Sequence, residues 1–423
     1  MLKKSLASIA DQMLLSALNL GVALALIRFA DKTSYGLYLQ WFGVVMLAYS
    51  LIDATVGATL VARYNRLAAG TERMDTIGAH MCLAIHTCLG AVALSALGWW
   101  LFMQPQLAAV DTGAGSWLVW PAAAAYVGSY AWREFKRGTG HLLQRAFDVL
   151  YMDITYAALT VAGVAWLIAT DGLSLTTTLV TLAAANAVAA AAWIRAPAVQ
   201  GPGAWSDHAN WPTVWRTSRW AMGGASLAWV SNHAFLYASA ALLGLAATAD
   251  IGAARLFLMP LSLITLGWKN VARADIGNLL QPADLGPARR YVARSVLMVS
   301  GFGVLYLLAL WLGYGWVSTH FLPANYQHLE WLIVAWSLYF VVYNVRNVGS
   351  VLLAALGHFK PLFRLDVVGL AVQGIGIAVL VPSFGAMGLI ASVALCECVL
   401  VVWMWSRLVP RLLFAREAAC PPA

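Results

Sequence analysis

One arginine set among tyrosines on a single helical face is the part of this sequence best suited to chemistry. Tyr339, Tyr343, Arg346 and Ser350 are spaced by four, three and four residues, which puts all four within about 40° on one side of an α-helix. A guanidinium holds phosphate through two parallel hydrogen bonds, and the flanking phenol rings suit the faces of sugars or prenyl groups. The same residues also read as a structural ion pair, with Asp366 or Glu397 on a neighbouring helix as the counter-ion. A second face repeats the idea with Arg219, Gly223, Ser226 and His233. Arg219 either lines a cavity there or snorkels to lipid phosphates, and His233 either titrates near neutral pH or satisfies a local hydrogen bond.

The acids form a third group. Asp11, Gln12 and Asn19 share one helical face, and Tyr49 shares another with Asp53. A carboxylate surrounded by hydrocarbon must be paired, protonated or wet, so Asp53, Asp11, Asn19 and His233 are candidates for coupling to a proton or sodium ion, or for gating. The bland reading is a cap or a packing hydrogen bond. Asp148 and Asp153, at the start of an apolar stretch, read as residues near water.

The elements that must position these residues are apolar stretches of about 20 residues, the length at which a helix crosses a bilayer with every backbone hydrogen bond satisfied internally. Twelve occur, at 6–29, 39–61, 78–103, 116–132, 149–169, 173–194, 217–243, 250–272, 291–313, 329–355, 362–381 and 385–406. Hydrophobic residues make up 61% of the 423-residue chain and charged residues 10%, against about 25% charged in soluble domains; mean hydropathy is +0.74. The net charge of +8 comes from Lys and Arg scattered through short loops, which is not the dense patch that nucleic acid requires.

Those basic residues alternate from gap to gap. Lys3, Arg63, Arg66, Arg133, Arg137, Arg195, Arg273, Lys360 and Arg411 fall on one side; on the other, 104–115, 170–172, 314–328 and 382–384 hold no Lys or Arg and the two remaining gaps hold only Lys32, with Arg28 and Arg255 at helix ends. The positive-inside rule then places both termini in the cytoplasm and supports an even number of spans. Lys3 and Lys4 before an apolar run resemble a signal peptide, but Asp11, Gln12 and Asn19 interrupt the run, so it reads as a retained first helix. The Pro-, Gly- and Trp-rich connection 195–216 divides the chain into an N-terminal six-helix bundle, 1–194, and a C-terminal one, 217–423, a layout seen in repeat-built transporters. Tryptophans near span ends, such as Trp99, Trp117, Trp316 and Trp331, read as an interfacial belt.

Several chemistries lack support. The outward gaps offer Asp111, Asp171, His320 and little else, too little for a membrane polymerase or glycosyltransferase. No Walker A, HExxH or C-x-x-C motif occurs, so neither ATP hydrolysis nor a metal site is expected. Cys396 and Cys398 lie two apart on a helix and point in different directions, and Cys82, Cys88 and Cys420 read as structural.

Two segments carry a family resemblance. The first runs LASIADQMLLSALNLGVALALIRFADKTSYGLYLQWFGVVMLAYSLIDATVGATLVARYNRLA, with a polar first helix ending in Arg28, the turn Tyr35-Gly36-Leu37-Tyr38, then Asp53 before Gly57. The second is WAMGGASLAWVSNHAFLYASAALLGLAATADIGAARLFLMPLSLI, with Arg255 five residues before Pro260. The turn from Phe321 to Tyr326 and the Gly385-Ala386-Met387-Gly388-Leu389 opening of the last span also fit. Together they resemble the polysaccharide transporter (Wzx-like lipid-linked oligosaccharide flippase) branch of the multidrug/oligosaccharidyl-lipid/polysaccharide exporter superfamily. Asp53-Ala54-Thr55 departs from the Asp-Leu-Gly common in that branch.

The resemblance implies an all-α integral membrane protein, with two six-helix bundles around a central cavity that opens alternately to each side. It implies export of an undecaprenyl-diphosphate-linked glycan across a bacterial inner membrane for surface polysaccharide or exopolysaccharide synthesis. Membrane lipids would be partners, as would polysaccharide polymerase and export proteins, with proton or sodium coupling and no other cofactor. In that setting Arg346 and Arg219 would hold the diphosphate, Tyr339, Tyr343, Ser350 and Ser226 would face the substrate, and the chain would not be an enzyme. The main rival is a cation-coupled multidrug exporter of the same fold, which needs an acid-lined cavity. A flippase for cell-wall precursor would be expected to add helices beyond twelve.

Overall fold

A computed structural model of the chain describes residues 2–60, 71–102, 116–143, 145–193, 211–261, 286–326, 329–355 and 359–410, together with 265, 268 and 272. Every regular element among them is helical. In order these are α1 (Leu2–Phe29), α2 (Lys32–Ile52) continuing as a π-helical turn (Asp53–Leu60), α3 (Thr71–Phe102), α4 (Ser116–Leu142), α5 (Ala146–Ala169) and α6 (Leu175–Ala192). They continue with α7 (Trp211–Leu243), α8 (Leu245–Leu256), α9 (Gly286–Phe321), α10 (Glu330–Ala355) and α11 (Phe359–Trp403), the last extended by a π-helical turn (Met404–Leu408).

α11 accounts for two of the expected spans. Its 45 residues would reach about 68 Å if straight, roughly twice the hydrocarbon thickness. The helix breaks at Gly385 (φ 54, ψ −130), a backbone geometry that glycine adopts without a Cβ penalty. The expected spans 362–381 and 385–406 lie on either side of that break. With this division the expected spans coincide with helices among the described residues, the eighth (250–272) through α8 as far as Leu256 and at a few positions beyond it.

Six stretches are long and apolar enough to cross a membrane by length and composition: Ala10–Phe29, Lys32–Val56, Ala146–Ala169, Leu175–Ala192, Gly286–His320 and Pro361–Leu408. The protein is a multi-pass membrane protein. α4, α7 and α10 fall outside that set, and they carry the arginines of the candidate site, whose acidic partners also come from α1, α5 and α11.

The chain packs as two compact units, Met1–Ala249 and Asp250–Ala423. In the first, α4 lies along α6, α1 along α5, and α7 packs against α2 and its π-helical turn. Local signals start and stop these helices. Asp31 caps α2 by accepting from the Ser34 amide, and Ser174 and Thr177 form a reciprocal capping box on α6. In the second unit α10 packs along α9 and α11. Its core gathers Val348, Val351, Leu352, Leu365, Leu400 and Met404. Polar tethers also hold this unit, among them Trp336 Nε1 donating to the Ile251 carbonyl at 3.1 Å, Tyr306 to that of Phe257 at 2.5 Å, and Thr265 to Asn344 at 2.8 Å.

Candidate functional site

The predicted face of α10 forms as expected. Tyr339 and Tyr343 stack with ring centroids 5.4 Å apart, and the Arg346 guanidinium lies over the Tyr343 ring at 5.5 Å. Trp336 meets Tyr339 edge to face at 5.2 Å and carries Arg255 over its own ring, also at 5.2 Å. A helix presents residues three and four apart as neighbours, so one stripe of α10 becomes an aromatic ladder with a cation near each end. Ser350, one turn beyond Arg346, is half-buried.

Both acids named as counter-ions reach Arg346. Glu397 Oε2 lies 2.6 Å from its Nε, although neither atom is aligned for a hydrogen bond. Asp366 Oδ1 accepts from Nη1 at 3.4 Å. Relative exposure is 15% for Arg346, 8% for Glu397 and 30% for Asp366. Arg346 therefore has one close, enclosed partner and one long, accessible partner.

The first unit holds a larger charge cluster. Arg137 contacts Asp11 at 2.5 Å, Glu134 at 3.0 Å and Asp153 at 3.0 Å. Arg133 donates to Asp153 at 3.0 Å and lies over Tyr156 at 3.9 Å and Tyr130 at 5.5 Å. All five charged side chains are buried. The cluster ties α1, α4 and α5 together with three carboxylates around two guanidiniums. Lys136 sits on the same helix and closes the end of α6, donating to the carbonyls of Ala190 and of Trp193, the latter at 3.1 Å.

This cluster corrects the sequence reading at two points. Arg133 and Arg137 were assigned to a loop after a span ending at 132, but α4 continues to Leu142 and buries both. Asp153 was expected near water and is fully enclosed. The physical reason is mutual neutralisation: opposite charges on adjacent helices let α4 continue through a region that an isolated arginine could not enter. The signal was present in the sequence as a repeated spacing. Tyr126-x3-Tyr130-x2-Arg133 followed by Asp153 matches Tyr339-x3-Tyr343-x2-Arg346 followed by Asp366, with the Arg and Asp 20 residues apart in both.

Of the remaining candidates, Asp11 belongs to the first cluster and the others lie apart from both or at their edges. Asp11 is buried in the Arg137 cluster, whereas Asn19, two turns along α1, is half-buried. Asp53 is exposed and opens the π-helical turn. Arg219 is exposed and lies over the Trp220 ring at 5.4 Å. Ser226 is half-buried on the same helix. His233 Nδ1 is 3.2 Å from the Trp229 carbonyl, with its ring stacked on Trp229 at 5.8 Å. Among the described residues no group of three or more His, Cys, Asp or Glu side chains is arranged to hold a metal ion.

No family model matches the chain, and no curated protein is significantly similar to it in sequence. Solved structures do match. A lipid II flippase, MurJ, in an inward closed conformation superposes with a TM-score of 0.72 at 11% identity, over 96% of this chain and 87% of that one. An inward-facing multidrug resistance MATE family transporter of the MOP superfamily gives 0.71 at 13% identity, over 95% of each chain. A MOP superfamily transporter from Pyrococcus furiosus, described as having a binding pocket of reversed polarity, gives 0.59 at 12% identity, over 97% of this chain and 95% of that one. At these identities the likeness concerns the fold, and the chain has the helical fold of MOP superfamily transporters.

Proposed function

We propose that the protein flips undecaprenyl-diphosphate-linked oligosaccharide repeat units across the bacterial inner membrane, with both termini cytoplasmic, for surface polysaccharide or exopolysaccharide synthesis. The observation that carries this reading is a fold shared over almost the whole chain with a lipid II flippase. The physical need is clear. A diphosphate and a glycan cannot enter hydrocarbon, so protein cations and dipoles must replace their water.

Arg346 is suited to the diphosphate because its Asp366 contact is long, at 3.4 Å, and partly exposed. An incoming phosphate exchanges with that carboxylate while Glu397 keeps the guanidinium in place. Tyr343 and Tyr339 extend the stripe toward sugar or prenyl groups, with Ser350 at its far end. Arg219 is an exposed cation on α7 and, with Ser226, supplies a second contact. In the first unit the surplus carboxylate of the Asp11, Glu134 and Asp153 cluster is costly unless balanced. That balance gives a proton or a sodium ion a place in the cycle, with Asp11 as the coupling residue and Asp53, Asn19 and His233 as gating residues.

The test is binding of purified undecaprenyl-diphosphate glycolipid to the detergent-solubilised protein, wild type against Arg346→Ala and Arg219→Ala. A ten- to hundred-fold loss in a folded Arg346→Ala variant places the diphosphate there. Equal binding by variant and wild type makes Arg346 a structural ion pair. If wild type and both variants all fail to bind, a cation-coupled multidrug exporter becomes the better reading.

A further inference from the structure

The π-helical turn Asp53–Leu60 sits between the charge cluster on α4 and the length of α7. On the α4 side, a Cβ added at Gly138, next to Arg137, would lie 2.8 Å from Val56 Cγ1, so the turn rests directly on that helix. On the α7 side, Thr59 Oγ1 and Ser218 Oγ are 2.9 Å apart and both are buried. Around them Leu51 and Ala54 pack with Ala79, Leu83, Val214 and Met222.

The far end of the same α2–α7 seam is held differently. Gln40 Nε2 donates to the Leu236 carbonyl at 2.8 Å, Tyr237 to that of Gln40 at 2.9 Å, and Trp229 Nε1 to that of Gly43 at 2.7 Å. Three side-chain-to-backbone bonds therefore fix one end. Among the described residues, one hydroxyl pair within an apolar cluster closes the other.

π-Helical turns are rare and close their hydrogen bonds from i to i+5, so each holds one more residue than an α turn, and conversion between the two shifts the register by one residue. The threonines of the turn bond back to carbonyls of the same segment. Thr55 Oγ1 reaches the Leu51 and Ile52 carbonyls at 3.0 and 3.1 Å, and Thr59 Oγ1 donates to the Thr55 carbonyl at 2.8 Å. If the turn reverts to α register, the residues toward its C-terminal end rotate by up to about 100°, one residue's step on a helix with 3.6 residues per turn. Thr59 then leaves Ser218.

We propose that Asp53–Leu60 is a register latch: in its π form it holds α2 to α7 through Thr59 and Ser218, and its return to α register parts that end of the seam once per transport cycle. The Gln40, Tyr237 and Trp229 bonds act as the fixed end about which it opens. Contact with Gly138 lets a change in the Arg137 cluster reach the latch. This inference rests on the transporter reading for its role in a cycle, but the latch itself can be tested without a substrate.

The experiment is the double variant Thr59→Cys/Ser218→Cys with each single variant as control, oxidised and then reduced. Sulfurs replacing oxygens 2.9 Å apart are within reach of a disulfide. Cross-linking should lower glycolipid transport in proteoliposomes at least ten-fold, with reductant restoring it to within two-fold of the reduced control. Amide hydrogen exchange over 53–60 and 211–222 should slow at least ten-fold on oxidation, whatever the substrate. Failure to cross-link would overturn the latch geometry, and unchanged exchange in the cross-linked protein would overturn its opening. Slowed exchange with no glycolipid transport even by wild type would leave the latch standing and remove the substrate assignment instead.

Discussion

Arg133 in the first unit and Arg346 in the second stand in the same local sequence, yet their surroundings differ. Each follows two tyrosines at the same spacing, lies 5.5 Å from the ring of the second and reaches an aspartate 20 residues on. Arg133 and Asp153 are sealed, at 2% and 0% exposure, with Arg137 sharing the carboxylate. Arg346 and Asp366 keep 15% and 30%, and Glu397 takes the second position. The tyrosines differ too: Tyr126 and Tyr130 meet edge to face at 6.4 Å, whereas Tyr339 and Tyr343 stack at 5.4 Å. One spacing thus yields a strut where it is enclosed and a reachable cation where it is not. Burial, and not residue type, separates the two arginines.

The comparison breaks most readily at its strongest point. Removing one partner of a buried ion pair leaves an uncompensated charge, so Arg133→Ala should cost about 3–5 kcal/mol. Thermal unfolding of the detergent-solubilised protein would read this as a large loss of Tm and yield. An equal loss in Arg346→Ala would remove the distinction between strut and site.

Next in size is binding. Arg346→Ala should weaken glycolipid binding by about 1.5–3 kcal/mol, ten- to hundred-fold, while unfolding less readily than Arg133→Ala. Loss of binding in Asp366→Asn as large as in Arg346→Ala would contradict the exchange of Asp366 for phosphate.

A pair of glycines sharpens the contrast by packing alone. Gly376 and Gly163 both lie ten residues beyond the aspartate of their copy. A Cβ at Gly376 would meet the Ser392 Cβ at 2.8 Å and its backbone Cα at 3.2 Å, so the helices must separate, at about 1–2 kcal/mol. At Gly163 the nearest atom is the Thr181 Cγ2 methyl at 2.5 Å, with the other neighbours at 3.7 Å. Rotation of one side chain relieves that, and Gly163→Ala should unfold closer to wild type than Gly376→Ala.

Asp31 calibrates the scale from outside both copies. As the cap of α2 it should contribute about 1 kcal/mol. Partial burial would raise its carboxyl pKa, but hydrogen bonds from Thr33 and Ser34 outweigh that and hold it below the usual value. A depressed pKa stabilises above the unfolded value of about 3.9 and is lost as pH falls through the folded one. Melting temperatures of wild type and Asp31→Ala should therefore converge as the pH drops below about 4, and a constant gap would show that the cap acts without its charge.

The sequence by itself determined the twelve spans, because apolar length and the alternation of basic gaps follow from hydrocarbon thickness and leaflet charge, neither of which needs tertiary contacts. It also determined the Tyr339–Arg346 stripe, since helix geometry alone aligns residues three and four apart. Even the choice of counter-ions for Arg346 was legible in part, as two acids on neighbouring spans. Tertiary structure alone decided that α4 runs on to bury Arg133 and Arg137, because a charge enters a low-dielectric interior only beside partners that arrive from other helices. The same holds for what the π-helical turn at Asp53 packs against, Val56 beside Gly138 and Thr59 beside Ser218, groups far apart in the chain.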